Sequence, residues 1–261
     1  MPISGDNVLL YEKKDKIVTL TLNREERMNA ISYDLLEKLN QALERFRDDE
    51  DAWVLIVTGA GDKAFCAGDD LIEMKDELGT EKRAQRSRNF EKLFGYRIWK
   101  PMIAAINGYA MAGGFYLAQM CDIRIASEKA KLGIPEARWN LGAYWVSDLT
   151  RQMHMGHVLE MTLWGDGQIG AQRGYEMGWI NRVVPQEKVM EEANAWAERI
   201  IYLGPRAVRN FKEMIYRGCY MPPEESYAFG RALEAGAKNM KDTIEGTKAF
   251  AEKRKPVFRN E

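Results

Sequence analysis

Lys100-Pro101-Met102-Ile103-Ala104-Ala105-Ile106-Asn107-Gly108-Tyr109-Ala110-Met111-Ala112-Gly113-Gly114 decides the fold. Met102 to Ile106 is an unbroken apolar run, as expected of a strand covered on both faces, and it leads through a small-residue turn, Ala112-Gly113-Gly114, into a helix. The same plan occurs earlier: Trp53-Val54-Leu55-Ile56-Val57, then Phe65-Cys66-Ala67-Gly68, then a helix from Asp70. A third unit follows, with Ile123 to Ala126 as strand and the segment after Pro135 turning helical. Alternating strand and helix with a recurring glycine turn predicts an α/β chain built on a repeated supersecondary unit.

Outward from these units, Val8 to Tyr11 and Ile17 to Leu22 read as a hairpin separated by Glu12 to Lys16. Ser32 caps a helix whose apolar positions Leu35, Leu36, Leu39, Ala42, Leu43 and Phe46 recur at helical spacing. A helical pattern from Gln186 to Leu203 ends at Gly204-Pro205, and what remains is helix, with Val208, Phe211, Met214 and Ile215 on one face and a further helix from Pro223. The boundary is placed near residue 200: a core over 1–200 and a helical region over 201–261 that packs on the core or on another subunit.

With 46% hydrophobic and 30% charged residues, 22 Gly and 8 Pro, the composition excludes a disordered or collagenous chain. The 38 basic and 39 acidic side chains leave a formal charge of -1, so no long-range field gathers nucleic acid or anionic lipid, and neither is expected as a partner. Cys66, Cys121 and Cys219 lack the spacing of a zinc site or a disulfide framework, which fits a reducing compartment. Met1-Pro2-Ile3-Ser4-Gly5-Asp6 has no export signal, and no apolar stretch reaches the roughly 20 residues of a membrane span; a cytoplasmic protein is the expectation, although an organelle protein whose transit peptide was removed reads the same.

A strand that turns through Gly and Ala into a helix exposes backbone N–H groups that lack partners and carry partial positive charge. Two such turns aimed at one point form an oxyanion hole, in which fixed donors stabilise charge developing on a carbonyl oxygen. A tight structural turn is the plainer alternative for either one.

Ala64-Phe65-Cys66-Ala67-Gly68-Asp69-Asp70-Leu71 and the stretch quoted first strongly resemble the two signature segments of the crotonase (enoyl-CoA hydratase/isomerase) superfamily. The likeness extends through Asn23-Arg24, Met28-Asn29-Ala30, Cys121-Asp122-Ile123 and Phe250 to Pro256, in the expected order over nearly the whole chain. It implies the ClpP/crotonase spiral of ββα repeats, with a C-terminal helical region that makes trimers, often paired into hexamers. It also implies acyl-CoA thioester substrates, with coenzyme A as part of the substrate and neither metal nor separate cofactor. The implied oxyanion donors are the N–H groups of Asp69 and Gly113, and Ala67, Gly68, Asp70, Leu71 and Gly114 are the implied substrate contacts; Trp139 and Tyr144 are further candidates, from a segment that departs from the family pattern.

Three departures from the family pattern bear on activity. Two-glutamate hydratases place one glutamate where this chain has Tyr116, and the other at Glu136, in Gly133-Ile134-Pro135-Glu136. A tyrosine of ordinary pKa near 10 is no carboxylate base, so Glu136 carries most of the proton transfer, as in single-glutamate isomerases and hydratase-lyases, while Tyr116 stays a candidate catalytic residue whose hydroxyl helps to hold the water. Asp69 stands where a small or apolar residue is usual; its side chain is expected to point away or to pair with a cation, the alternative being that Asp69 is itself a catalytic acid or base. Arg138-Trp139-Asn140-Leu141-Gly142-Ala143-Tyr144-Trp145 replaces a Gly- and Pro-rich loop, and with Phe115 and Tyr116 these aromatics either floor a pocket for a cyclic or aromatic acyl group or belong to the core. Arg138 is expected to pair with a substrate carboxylate, Asp69 or Asp148. His154 and His157 have no third metal ligand in view, and Lys253-Arg254-Lys255 is a charge run that reaches CoA phosphates in some relatives. The resulting expectation is a hydratase-type lyase, with double-bond isomerase next, acyl-CoA hydrolase third, and a non-catalytic acyl-CoA binder as the reading from another class.

Overall fold

The computed structural model describes residues 8–77, 79–95 and 97–261; the N-terminal segment read for an export signal lies outside them. The hairpin is present as β1 (Leu9–Lys14) and β2 (Ile17–Leu22), paired antiparallel around a two-residue turn with Asp15 at φ 54°. β1 therefore runs past Tyr11 to Lys14: on an edge strand, charged side chains face solvent while the backbone ladder continues. Ser32 Oγ accepts the Leu35 N–H at the start of α1 (Tyr33–Asp48), and all six expected apolar positions of that helix are buried.

Next come β3 (Val54–Gly59), β4 (Ala64–Cys66), α2 (Leu71–Asp76) and α3 (Glu81–Gly95). The second unit is β5 (Met102–Ile106), β6 (Tyr109–Met111) and α4 (Gly113–Gln119). The third is β7 (Ile123–Ser127), β8 (Lys131–Gly133) and a 3-10 turn over Glu136–Trp139. The chain continues through α5 (Val146–Leu149), α6 (Met155–Leu163), β9 (Ile169–Gly170), α7 (Ala171–Glu176), β10 (Arg182–Val184) and α8 (Val189–Ile201).

The first strands of the units lie in one sheet, ordered β1-β2-β3-β5-β7-β10, and the second strands in another, β4-β6-β8-β9. Each unit is thus strand, strand, helical segment, and the chain spirals between two sheets. In the larger sheet Val54 and Ile56 face α8, where Val189, Ala193 and Ala197 cover them, while Leu55 and Val57 face the main core with Leu39, Phe46 and Phe115. Burial on both faces is why β3 and β5 read as unbroken apolar runs.

Beyond α8 lie α9 (Pro205–Gly218), α10 (Pro223–Ala237) and α11 (Lys241–Ala251). Lys212 ties α9 to the core, donating to Asp122 (2.7 Å) and to the Lys100 carbonyl (2.9 Å). Phe211, Ile215, Tyr227, Ile244 and Phe250 on these helices are 60–87% exposed. No helix among the described residues is long and apolar enough to cross a membrane.

Candidate active site

The smaller sheet brings the three glycine-turn ends together. β4 pairs with β6 (Cys66 opposite Ala110) and β6 with β8 (Met111 opposite Gly133), all parallel, so their C-terminal ends lie side by side. Asp69 follows β4, Gly113 follows β6 and Glu136 follows β8. Backbone bonds fix each exit: Ala112 N–H donates to the Gly133 carbonyl (3.0 Å), Ile31 N–H to Gly68 (2.7 Å) and Asp70 N–H to Ile31 (3.1 Å). Two buried asparagines rivet the β3–β4 corner. Asn107 donates to the carbonyls of Gly59 and Gly61, and Asn29 to those of Ala60 and Ala64. Buried amide groups of this kind stabilise only when so paired.

Gly68 adopts φ +92°, and a Cβ placed there would lie 2.7 Å from the Ala112 Cβ and 3.4 Å from the Gly113 nitrogen. The two turns therefore touch, and only a residue without a side chain permits it. Ala112 itself sits at φ 52°, ψ −124°, a conformation whose cost is on the order of 1–3 kcal/mol for a non-glycine residue and is sustained by the strand ladder on either side. Among the described residues, neither the Asp69 nor the Gly113 N–H has a backbone acceptor. Gly114 has a packing role: a Cβ there would come within 2.2 Å of the Cys66 carbonyl, so its expected substrate contact reduces to close approach of α4 to β4.

The Asp69 side chain forms no ion pair among the described residues: Oδ1 is shut off from solvent and has no hydrogen-bond partner among them, 3.8 Å from where a Gly113 Cβ would stand. Burial raises its pKa to about 6, with Arg86 and Arg83 pulling it down and Glu77 adding to the rise. Glu136 Oε2 is likewise buried, with no hydrogen-bond partner among the described residues. Burial pushes Glu136 up to about 7, opposed by its own N–H and reinforced by the charge of Asp69. The charge of Asp69 is thus felt at Glu136.

Tyr116 is buried, stacked on Trp145 with centroids 4.8 Å apart and edge-on to Tyr144 at 6.5 Å. Burial drives its pKa above the ordinary tyrosine value, so the hydroxyl keeps its proton at neutral pH. The aromatics divide: Phe115 and Trp145 are core, with Phe115 stacked on Trp179 at 4.1 Å, whereas Trp139 (57% exposed) and Tyr144 (66%) stand out of it, as do Leu71 and Ile72.

Asp70 is engaged within the protein. It pairs with Arg27 (2.9 Å) and Arg24 (3.2 Å) and accepts the Glu73 N–H as the cap of α2. Arg138 pairs with neither Asp69 nor Asp148 among the described residues; it lies over Trp139, while Asp148 accepts from the Tyr220 hydroxyl (2.8 Å). His154 caps α6 and His157 approaches Glu160, both structural. Arg254 forks onto Glu245 (2.6 and 2.8 Å) and Glu252 (2.7 Å) of its own chain.

Arg86 escaped sequence reading. It is buried on α3, donates to Glu77 (2.7 Å), Glu73 (2.8 Å) and the Ile31 carbonyl (3.1 Å), and so backs the segment that bridges to Asp69. In a helix as polar as Glu81–Gly95 nothing in the pattern marks one arginine as internal. A separate cavity of about 570 Å³ lies between α4 and α9, walled by Tyr116, Trp99, Met120, Arg151, Lys212 and Tyr216 among others; Asp69, Gly113 and Glu136 do not line it.

The chain is similar to known proteins over almost its whole length. The family described as enoyl-CoA hydratase/isomerase matches residues 12–261. An (E)-benzylidenesuccinyl-CoA hydratase of Thauera aromatica is 34% identical, over 95% of this chain and 97% of its own. A short-chain-enoyl-CoA hydratase of Clostridium acetobutylicum is 33% identical, over 95% and 96%. The crystal structure of an enoyl-CoA hydratase from Bacillus anthracis superposes with a TM-score of 0.93 at 35% identity, covering 97% of this chain and 100% of that one. Spiral, glycine turns and sequence thus agree, and the chain belongs to the enoyl-CoA hydratase/isomerase family, with the crotonase fold.

Proposed function

We propose that the protein is an enoyl-CoA hydratase-type lyase, adding water across the double bond of an unsaturated acyl-CoA thioester. The observation that supports this reading best is the contact of the Gly68 and Ala112–Gly113 turns, whose Asp69 and Gly113 N–H groups have no backbone acceptor among the described residues, next to the strand end that leads to Glu136. A thioester oxygen held by both amides becomes an enolate oxygen as electrons leave the double bond; one such donor is worth about 2.7–4 kcal/mol of barrier. Glu136, poised near pH 7 by burial, moves a proton at the substrate carbons. Coenzyme A enters and leaves as part of the substrate.

The exposed apolar side chains of Leu71, Ile72, Trp139 and Tyr144 near these turns support a bulky, cyclic or aromatic acyl group. The apolar, exposed faces of α9 to α11 support assembly into a trimer or a hexamer. Tyr116, standing where two-glutamate hydratases carry a second carboxylate, favours double-bond isomerisation as the second reading, since one carboxylate suffices to move a proton between two carbons.

Mixing the protein with crotonyl-CoA and with a cyclic enoyl-CoA, and following the conjugated thioester absorbance, tests the proposal. Loss of absorbance that Glu136→Gln abolishes is the expected result. Silence with both substrates while CoA still binds assigns the chain instead as a non-catalytic binder.

A further inference from the structure

We infer that Asp69 is the second catalytic carboxylate of this site: its side chain takes the proton of the attacking water while Glu136 gives one to the α-carbon. The inference rests on the hydratase reading and says which groups divide its two proton transfers.

The geometry begins with what Tyr116 leaves undone. A stacked, fully protonated tyrosine one turn into α4 has no base to offer, yet hydration needs one for the water and an acid for carbon. Asp69 reaches the same helix start from across the site, on the turn after β4 and not from α4 itself, with Oδ1 against Gly113. The closure of Oδ1 from solvent, with no partner among the described residues, is otherwise unexplained, because an unsatisfied carboxyl oxygen destabilises a fold that gains nothing from it.

The charged groups around Asp69 fit the role. Arg86 and Arg83 on α3 lower its pKa with no bond to it among the described residues, Glu77 after α2 opposes them, and the charge of Asp69 in turn raises Glu136. The charge on Asp69 favours a retained proton on Glu136, which leaves one carboxylate to take a proton and one carboxyl to give one. That is the state hydration requires.

As the water oxygen bonds to the β-carbon, one of its protons passes to Asp69 and the π electrons move toward the thioester oxygen. Negative charge leaves Asp69 as it appears on the enolate, so the carboxylate does not oppose the hole beside it. The enolate pair then takes the Glu136 proton at the α-carbon. One water has been added, and proton return from Asp69 to Glu136 resets the site.

The test separates the two transfers. Hydration is followed with crotonyl-CoA and cyclohexene-1-carboxyl-CoA; α-proton exchange in D2O is followed by mass spectrometry on their saturated counterparts, butyryl-CoA and cyclohexanecarboxyl-CoA. Asp69→Asn is expected to slow hydration at least about 100-fold while exchange stays within a few-fold of wild type, and Glu136→Gln to lose both. Asp69→Glu restoring part of the hydration supports a proton-transfer role. Hydration by Asp69→Asn at the wild-type rate overturns the inference, as does loss of hydration and exchange together with thioester binding retained, which marks Asp69 as a mere support of the hole. Wild-type protein that binds these thioesters yet neither hydrates nor exchanges them refutes the hydratase reading itself, and the inference with it.

Discussion

Gly114→Ala probes how the site is held. The added methyl carbon would lie 2.2 Å from the Cys66 carbonyl oxygen, 2.7 Å from the Cys66 Cβ and 2.8 Å from its carbonyl carbon. Two of these are backbone atoms of β4, which the ladder to β6 holds in place, so no side chain can swing aside. To regain ordinary van der Waals separation α4 must retreat by about 1 Å. That motion carries the Gly113 N–H away from the Asp69 N–H, and a misplacement of about 1 Å at a reacting centre costs about 100-fold in rate, or about 2.7 kcal/mol of barrier. Overpacking costs about 1–3 kcal/mol of stability besides, a fall in Tm of roughly 2–12 °C for a chain of this size. Steady-state kinetics with whichever enoyl-CoA the wild type hydrates, beside thermal unfolding, gives both numbers. Folded Gly114→Ala protein turning over at the wild-type rate would refute the claim that the α4–β4 contact sets the donor geometry.

Other outcomes follow from the same contacts. Arg86→Met leaves buried Glu77 with only the half-exposed Lys82, 3.4 Å away, and is expected to lose about 2–4 kcal/mol in denaturant unfolding, while also raising the Asp69 pKa further in the folded protein. The raised pKa of Glu136 means that the folded state binds its proton more tightly than the unfolded one, whose value is 4.5; the associated stability is complete below that and fades as pH rises through about 7. Glu136→Gln should accordingly match wild-type stability near pH 4 and exceed it at pH 8, by on the order of 1–3 kcal/mol in parallel melts. Gly236→Ala, in α10 with no atom within 4 Å of the new methyl, should stabilise the chain by about 0.4–1 kcal/mol, read as a small rise in Tm.

What the sequence disclosed tracks the range of the interactions involved. The Met102–Ile106 run, the Ser32 cap and the apolar stripe of α1 are local patterns with a direct physical cause, and each appears in the structure. Glu136 was legible through motif register, and the expected glycine turns do meet. The second strands β4, β6 and β8, which align the site, span only three residues each, too few for a period-2 pattern to register. Where Asp69 points depends on the left-handed turn at Gly68 and on which cations α3 brings near, and both are tertiary facts. Asp70 read as a cap, which it is, but the two arginines that close over it come from a loop some forty residues away. Arg86 was invisible because a buried arginine and a solvated one look alike in a polar helix.

The central claim is that two main-chain donors from separate glycine turns hold the thioester oxygen beside Glu136. A crystal structure with a saturated acyl-CoA bound tests it most directly. The thioester oxygen should lie about 2.7–3.1 Å from both the Asp69 and Gly113 nitrogens, with the α-carbon facing the Glu136 carboxyl. An acyl-CoA seated with its thioester oxygen on other groups, or with Glu136 turned from the α-carbon, would contradict it.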